Sequence, residues 1–277
     1  MARGSLFVVH ATILILASVD PSDMSPSVPV VLAAFLASVV GGCIAGDDGA
    51  GNPGASDPDP MVSGNNTTVT WGDVASATIR PGASLGGYCT FNFLFTDGDG
   101  SAYIGTAGHC TDSVGERVAL GAGGEIGAVV YDSDENAGAN ELVDFSLIRL
   151  DAEAVADAHP MMLGWDGPTG VLEPSEASLG DQVAFYGYGL VLGENEATRP
   201  RFGVLLGIDD ELYSSDMPAV NGDSGSPIIH MDTGKALGIV SHYGFGATPP
   251  TTDEGPVMTF ILAELAKAGF VVELAVA

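Results

Sequence analysis

Short apolar runs separated by turn residues recur along most of the chain after residue 87. Two of these runs, Tyr88–Phe95 and Ser101–Thr106, flank the turn sequence at residues 97–100, and this arrangement predicts a β-hairpin. The runs at regular spacing and the 39 glycines together predict an all-β fold, with residues 151–180 linking two groups of strands. The further predicted strands are Arg117–Leu120, Ile126–Tyr131, Val143–Leu150, Gln182–Tyr188, Arg201–Ile208, Pro227–Met231 and Ala236–Tyr243.

One segment near the C-terminus has helical periodicity instead. Its apolar positions, three or four residues apart, are Met258, Ile261, Leu262 and Leu265. Pro256 lies in the opening turn of this segment and Gly269 lies just past its end, as is typical of helix boundaries. We therefore predict a helix at about residues 256–268, with a packing role and no chemistry.

The first 43 residues are organised differently from the rest. Their two apolar stretches, Leu6–Ser18 and Val28–Val40, are each shorter than the ~20 residues that a membrane-spanning helix needs. We interpret residues 1–43 as an export signal, with two short transmembrane helices as the alternative. The second stretch ends in small residues before Cys43, which resembles a bacterial lipobox and makes Cys43 a candidate lipidation site.

The composition of the next segment and the overall charge of the chain limit the kinds of molecule that this protein could bind. Residues 44–60 contain neither an aromatic nor a basic side chain, so we expect residues 44–68 to form a flexible acidic tether. The whole chain has 36 acidic and 8 basic side chains, a formal charge of −28. This excess of negative charge argues against nucleic acid or an anionic membrane surface as a partner. We expect an extracellular or cell-surface protein that meets a membrane only through a lipid on Cys43.

Three short strings supply a histidine, a carboxylate and a serine hydroxyl in that order. They are residues 106–110, 143–148 and 222–227, and they contain His109, Asp144 and Ser224 respectively. A serine hydroxyl is a poor nucleophile near neutral pH, so it needs a base within reach and a third group that orients the base. The strings therefore predict Ser224 as nucleophile, His109 as base and Asp144 as the orienting carboxylate.

These strings resemble those of the chymotrypsin-like (trypsin-fold) serine proteases, and most closely those of short bacterial and archaeal secreted members. The resemblance implies a protease domain at residues 69–277 with two six-stranded antiparallel β-barrels, at about 69–150 and 181–250, and a C-terminal helix. The catalytic groups would meet in the cleft between the barrels. Residues 270–277 extend beyond the family pattern and receive no interpretation.

The α/β-hydrolase family is the rival within the same reaction class. Its nucleophile lies between glycines two residues on either side, but Ser226 occupies the second of those positions here. That family also places its histidine after the nucleophile, whereas His109 precedes Ser224. The sequence therefore favours the chymotrypsin-like family.

The resemblance assigns further roles around the nucleophile. The backbone N–H groups of Gly222 and Ser224 would form the oxyanion hole, and Asp223 is expected to be structural. Cys89 and Cys110 correspond to the family's histidine-loop disulfide, which leaves Cys43 as the odd cysteine.

The resemblance also places the primary substrate pocket. Its floor would be formed by Pro218 and Ala219, and its wall by Ser241, His242 and Tyr243. Neither floor residue is acidic, and Tyr243 lies where wide-pocket relatives have glycine. We therefore expect small or medium apolar side chains on the acyl side of the scissile bond, with recognition of a carboxylate by His242 ranked second.

The combined prediction is a monomeric serine endopeptidase that cleaves polypeptide substrates through an acyl-enzyme, without a cofactor or metal. Two other functions remain open at this stage. One is a catalytically silent binding module with the protease fold, and the other is an esterase-type serine hydrolase.

Overall fold

The computed structural model describes residues 68–120, 124–136, 138–140, 142–162, 166–189, 199–243 and 253–277. The predicted export signal, Cys43 and all of the predicted tether except Thr68 lie outside these residues. Among the helices in the described ranges, none is long and apolar enough to cross a membrane.

Strands make up most of the described chain. The first half contains β1 (Ser84–Leu85), β2 (Cys89–Thr90), β3 (Leu94–Asp97), β4 (Ala102–Thr106), β5 (Arg117–Ala119), β6 (Glu125–Asp132) and β7 (Ser146–Leu150). The second half contains β8 (Gln182–Gly187), β9 (Arg199–Ile208), β10 (Leu212–Ser215), β11 (Pro227–His230), β12 (Lys235–Ile239), β13 (His242–Tyr243), β14 (Asp253–Pro256), helix α1 (Met258–Lys267) and β15 (Val272–Leu274). The predicted all-β fold with a C-terminal helix is confirmed.

The strands form two large antiparallel sheets and one small one. The first large sheet has the order β15-β3-β4-β7-β6-β5, and the second has the order β12-β11-β8-β9-β10-β14-β13. The small sheet pairs β1 with β2, and a bridge between Leu85 and Leu120 connects it to the chain just after β5. In the second large sheet, a bridge between Gly238 and Val257 brings β12 against the chain that follows β14. Each large sheet therefore curls toward closure.

Large apolar side chains fill the interior of both sheets. In the first sheet region, Phe95 and Phe145 are fully buried and meet edge to face, with ring centroids 6.1 Å apart. In the second sheet, Phe185 and Tyr213 are buried to a similar degree. Removing this apolar surface from water is the main favourable contribution to folding.

Three predicted strands differ in detail from the observed ones. The run Ala236–Tyr243 is divided into β12 and β13, because residues 240 and 241 lie outside both strands. The run Tyr88–Phe95 is interrupted, because residues 91–93 leave β2 and make other backbone hydrogen bonds before β3 begins. The Phe91 N–H donates to the Ala83 carbonyl at 2.8 Å, which turns the chain toward β1. The run Val143–Leu150 also begins late, because β7 starts only at Ser146.

The C-terminal residues without a sequence interpretation form an edge strand. Strand β15 pairs with β3, with Val272 opposite Asp97 and Leu274 opposite Phe95. The ring of Phe270, at the turn between α1 and β15, contacts Tyr131 with centroids 6.1 Å apart. The C-terminal segment thus completes the first sheet, although it follows the strands of the second sheet in the sequence.

Replacement of Phe270 tests the contribution of this segment to stability. We expect Phe270→Ala to lower the free energy of unfolding by about 2–3 kcal/mol, because the half-buried ring packs on the core and on Tyr131. Urea unfolding followed by fluorescence measures the change. The matched control is Val271→Ala, which truncates a side chain that is 74% exposed and should change stability by less than about 0.5 kcal/mol. Equal effects of the two substitutions would contradict the packing role.

Candidate active site

His109 lies in a short turn directly after β4. A 3-10 turn at Gly108–Cys110 carries it, and its side chain is 43% exposed. Cys110 forms a disulfide with Cys89, which confirms the predicted pairing and ties the histidine turn to β2. A cross-link over 21 residues contributes about 3 kcal/mol in the chain-entropy account. The turn is therefore held in place by β4 on one side and by the disulfide on the other.

Asp144 lies just before β7 and not in a strand, whereas the predicted strand Val143–Leu150 includes it. Its φ is +30°, and among the described residues no other non-glycine residue has a positive φ. This conformation is uncommon outside glycine, although aspartate tolerates it better than most residues. The backbone here turns the carboxylate toward the histidine turn, since Asp144 Oδ1 accepts the His109 backbone N–H at 3.0 Å.

The side chains of His109 and Asp144 are in direct contact. His109 Nδ1 lies 2.9 Å from Asp144 Oδ2 and 3.2 Å from Oδ1. Burial alone would raise the pKa of the Asp144 carboxyl, but hydrogen bonds from His109 and Ser241 outweigh it and lower that pKa. An ionised carboxylate only accepts hydrogen bonds, so Nδ1 carries a proton and Nε2 is the nitrogen available as a base. The hydrogen bond to Asp144 also raises the pKa of His109, against the effect of partial burial.

Ser241 extends this contact to the second sheet. Its hydroxyl donates to Asp144 Oδ2 and lies 2.6 Å from His242 Nδ1. Ser241 is buried, whereas His242 at the start of β13 is exposed. The ring centroids of His109 and His242 are 6.5 Å apart. The structure thus brings a predicted pocket-wall residue into contact with the predicted orienting carboxylate.

Backbone hydrogen bonds from both sides fix the loop that carries Ser224. The Thr90 N–H, at the end of β2, donates to the Ser224 carbonyl at 2.8 Å. The Gly225 N–H donates to the Val240 carbonyl, directly after β12, at 2.7 Å. A Cβ at position 225 would lie 2.2 Å from the Thr90 carbonyl oxygen and 3.0 Å from the Ala107 nitrogen, two residues before His109. Ser224, only 9% exposed, is thereby held beside the histidine turn.

The predicted oxyanion-hole amides have no protein acceptor among the described residues. Gly222 has a φ of +101°, a backbone conformation that glycine adopts readily. The N–H groups of Asp223, Gly225 and Ser226 all donate to backbone carbonyls, whereas those of Gly222 and Ser224 make no such bond within the described ranges. Backbone donors without a described protein acceptor, one on Ser224 and one two residues before it, are the type of group that can stabilise a developing oxyanion without reorganisation.

Asp223 is fully buried and makes structural contacts, as expected. Its carboxylate accepts the N–H groups of Gly189 at 2.8 Å and Val220 at 3.0 Å. The guanidinium of Arg201 on β9 lies 4.0 Å from the same carboxylate and over the ring of Phe185. An internal cation therefore compensates the charge buried next to Ser224.

The described residues include one group that brings metal-ligand atom types together. The relevant atoms of Cys89, Cys110 and His109 lie within 4.8 Å of one another. Both sulfur atoms are joined in the disulfide, so they are not the thiolates that bind metal ions.

Comparison with known proteins finds similar sequences and folds. No protein-family model matches the sequence. Streptogrisin-D from Streptomyces griseus is 29% identical over 188 residues, and the chain spans about two fifths of that protein's length, since the match covers 66% of this chain and 41% of the relative. Several solved structures match with TM-scores above 0.5, among them two proteases. Thermobifida fusca Protease A has a TM-score of 0.52 at 21% identity, covering 73% of this chain and all of that one. Nocardiopsis Protease has a TM-score of 0.53 at 20% identity, covering 71% of this chain and 98% of that one.

The fold is that of the chymotrypsin-like serine proteases. In this protease fold the predicted pocket residues lie in two places. Pro218 is exposed and Ala219 is buried in the segment after β10, whereas Ser241 and His242 lie at and before β13. The side chain of Tyr243 lies outside the described set, although its backbone pairs with β14.

A buried carboxyl group that the sequence did not predict lies on β14. Asp253 pairs with Tyr243, is fully buried, and accepts hydrogen bonds from the hydroxyls of Ser215 and Tyr213. Burial raises the pKa of Asp253 to about 7, because these hydroxyls offset the loss of water only in part. The Ser215 hydroxyl also accepts the Met217 N–H, next to Pro218. Asp253 was missed because its segment has no apolar alternation that predicts a strand.

The proton on Asp253 gives a prediction for stability against pH. The pKa is about 7 in the folded chain and near the ordinary 3.8 in the unfolded chain. Between these values only the folded chain keeps the proton, so this group's contribution to the free energy of unfolding is complete below pH 4 and is lost as the pH rises through 7. We expect the loss to be of order 4 kcal/mol and to be absent in Asp253→Asn.

Urea unfolding at several pH values between 4 and 8 measures this effect. The matched control is Asp210→Asn, which removes an exposed carboxylate and should keep the pH dependence of the wild type. Identical pH dependence in the Asp253 and Asp210 variants would refute the assignment.

Proposed function

We propose that this protein is a serine endopeptidase that hydrolyses peptide bonds through an acyl-enzyme. The observation that carries the proposal is the His109–Asp144 contact, in which the buried carboxylate leaves Nε2 of the imidazole as a base. Two further features support it. Ser224 is held beside the histidine turn, and two backbone donors next to its hydroxyl lack a described protein acceptor.

In the proposed first step, Ser224 Oγ attacks the carbonyl carbon of the scissile bond while His109 Nε2 takes the hydroxyl proton. The N–H groups of Gly222 and Ser224 stabilise the oxyanion of the tetrahedral intermediate, and one such donor is worth roughly 10²- to 10³-fold in rate. His109 then gives its proton to the leaving amine as the carbon–nitrogen bond breaks. Asp144 holds the imidazole in the required tautomer throughout.

In the second step, water attacks the ester carbon of the acyl-enzyme. His109 takes a proton from this water and returns it to Ser224 Oγ when the ester bond breaks. The products are a carboxylic acid, a free amine and the unchanged enzyme. The mechanism uses only side chains and backbone donors of this chain.

The proposal extends to substrate and location. The pocket formed by Pro218, Ala219 and the strand Ser241–Tyr243 would accept small or medium apolar side chains. Asp253 lies close to it, but its carboxylate is fully buried and bonded to two hydroxyls, so it offers no charge to a substrate. Residues 1–43 would direct export, with a lipid on Cys43, and residues 44–68 would tether a monomeric protease domain at 69–277.

Covalent labelling tests the proposed nucleophile. We expect a fluorophosphonate probe to label the wild-type protein and to leave Ser224→Ala unlabelled, because only an activated hydroxyl attacks phosphorus at a measurable rate. Gel fluorescence and mass spectrometry of the labelled peptide measure the result. Ser226→Ala is the matched control, since it removes a neighbouring, fully buried hydroxyl and should still be labelled. A wild-type protein that is folded and unlabelled would indicate a silent binding module instead.

A peptide panel tests the proposed specificity. We expect fastest cleavage after alanine, valine or leucine and little cleavage after lysine or arginine, because no described carboxylate is exposed at the pocket floor. The kcat/KM values of internally quenched peptides that differ at this one position measure the preference. Fastest turnover after arginine, or after glutamate through His242, would overturn it. Turnover of esters but of no peptide would favour the esterase function.

A further inference from the structure

The Ser241 hydroxyl lies within hydrogen-bond distance of two polar groups, but it has only one proton to donate. One neighbour is Asp144 Oδ2, and the other is His242 Nδ1 at 2.6 Å. The carboxylate of Asp144 is ionised and can only accept, so the Ser241 proton goes to Asp144. His242 Nδ1 must then be the donor in the second hydrogen bond.

This assignment gives a continuous chain of four side chains with defined directions. His242 Nδ1–H donates to Ser241 Oγ, Ser241 donates to Asp144, and His109 Nδ1–H donates to the same carboxylate from the other side. His242 therefore has a proton on Nδ1.

His242 also lies close to the base of the proposed mechanism. The ring centroids of His242 and His109 are 6.5 Å apart, and the two rings reach the same carboxylate, His109 directly and His242 through the Ser241 hydroxyl. A substitution of His242 can therefore alter Asp144 through Ser241.

The other charged groups around His242 belong to the strands packed against it. Glu254 lies directly opposite it on β14, and Asp253 is one position away, opposite Tyr243. On the side of the first sheet, Asp144 and Asp134 both act on His109. The residues between β13 and β14, 244–252, have no titratable side chain in the sequence. These few groups define the controls that are needed.

We propose that His242 is a positioning residue that acts on Asp144 through Ser241. Its Nδ1–H fixes the Ser241 hydroxyl as a donor to the catalytic carboxylate. The inference rests on the proposed endopeptidase function and adds a second histidine to the groups that position Asp144.

Separate kcat and KM values for a peptide without ionisable side chains test the inference. In His242→Phe, which has no donor, kcat should fall by up to roughly tenfold with little change in KM. In His242→Asn, whose amide can still donate to Ser241, we expect a clearly smaller fall in kcat than in His242→Phe.

Two control variants separate His242 from the neighbouring carboxylates. Glu254→Gln and Asp253→Asn should both lower kcat by less than His242→Phe does. Equal kcat values in His242→Phe and the wild type would overturn the inference, as would equal losses of kcat in His242→Phe and His242→Asn.

A measurement that needs no activity separates this inference from the proposed function. The ¹⁵N shifts of the imidazole nitrogens, assigned with His242→Asn, should show a protonated Nδ1 and an unprotonated Nε2 in the neutral ring of His242. An Nε2–H tautomer would overturn the inference even in an active enzyme. A wild-type protein that neither reacts with the probe nor cleaves peptides would refute the proposed function, whereas the tautomer would still be measurable.

Discussion

The ionised carboxylate of Asp144 can be buried only because hydrogen-bond donors from both large sheets surround it. The first sheet region supplies the backbone N–H and Nδ1–H of His109, and the second supplies the hydroxyl of Ser241. A buried charge without such donors would cost several kcal/mol. Assembly of the two sheets and assembly of the His109–Asp144 pair are therefore one event, since neither sheet alone supplies all of the donors around this carboxylate.

Three buried aspartates near the site illustrate how surroundings set the state of a carboxyl group. Asp144 has an imidazole partner and a lowered pKa. Asp223, which accepts two backbone N–H groups, has the guanidinium of Arg201 at 4.0 Å. Asp253 has only two neutral hydroxyls, and its pKa rises to about 7. The same side chain thus serves as an orienting group, a structural anchor and a buried proton carrier.

The parts of the structure that could be predicted from the sequence are those that depend on local strings. The disulfide between Cys89 and Cys110 and the C-terminal helix were predicted in this way. The side chains of His109 and Asp144, which lie in separate strings, are in contact as expected. The positive φ of Asp144 could not be predicted, because apolar alternation continues into β7 and gives no sign of a break before it. Strands β14 and β15 and the proton on Asp253 depend on tertiary pairing, which no local pattern encodes.

The pairing of β15 with β3 has a consequence for how the chain acquires its structure during synthesis. Strand β3 is made early, yet the strand that covers its outer edge emerges more than 170 residues later, since Val272 pairs with Asp97. Until then, the newly made half of the protein exposes an open strand edge of the kind that recruits other chains. A chain that stops before residue 272 therefore has an unfinished first sheet.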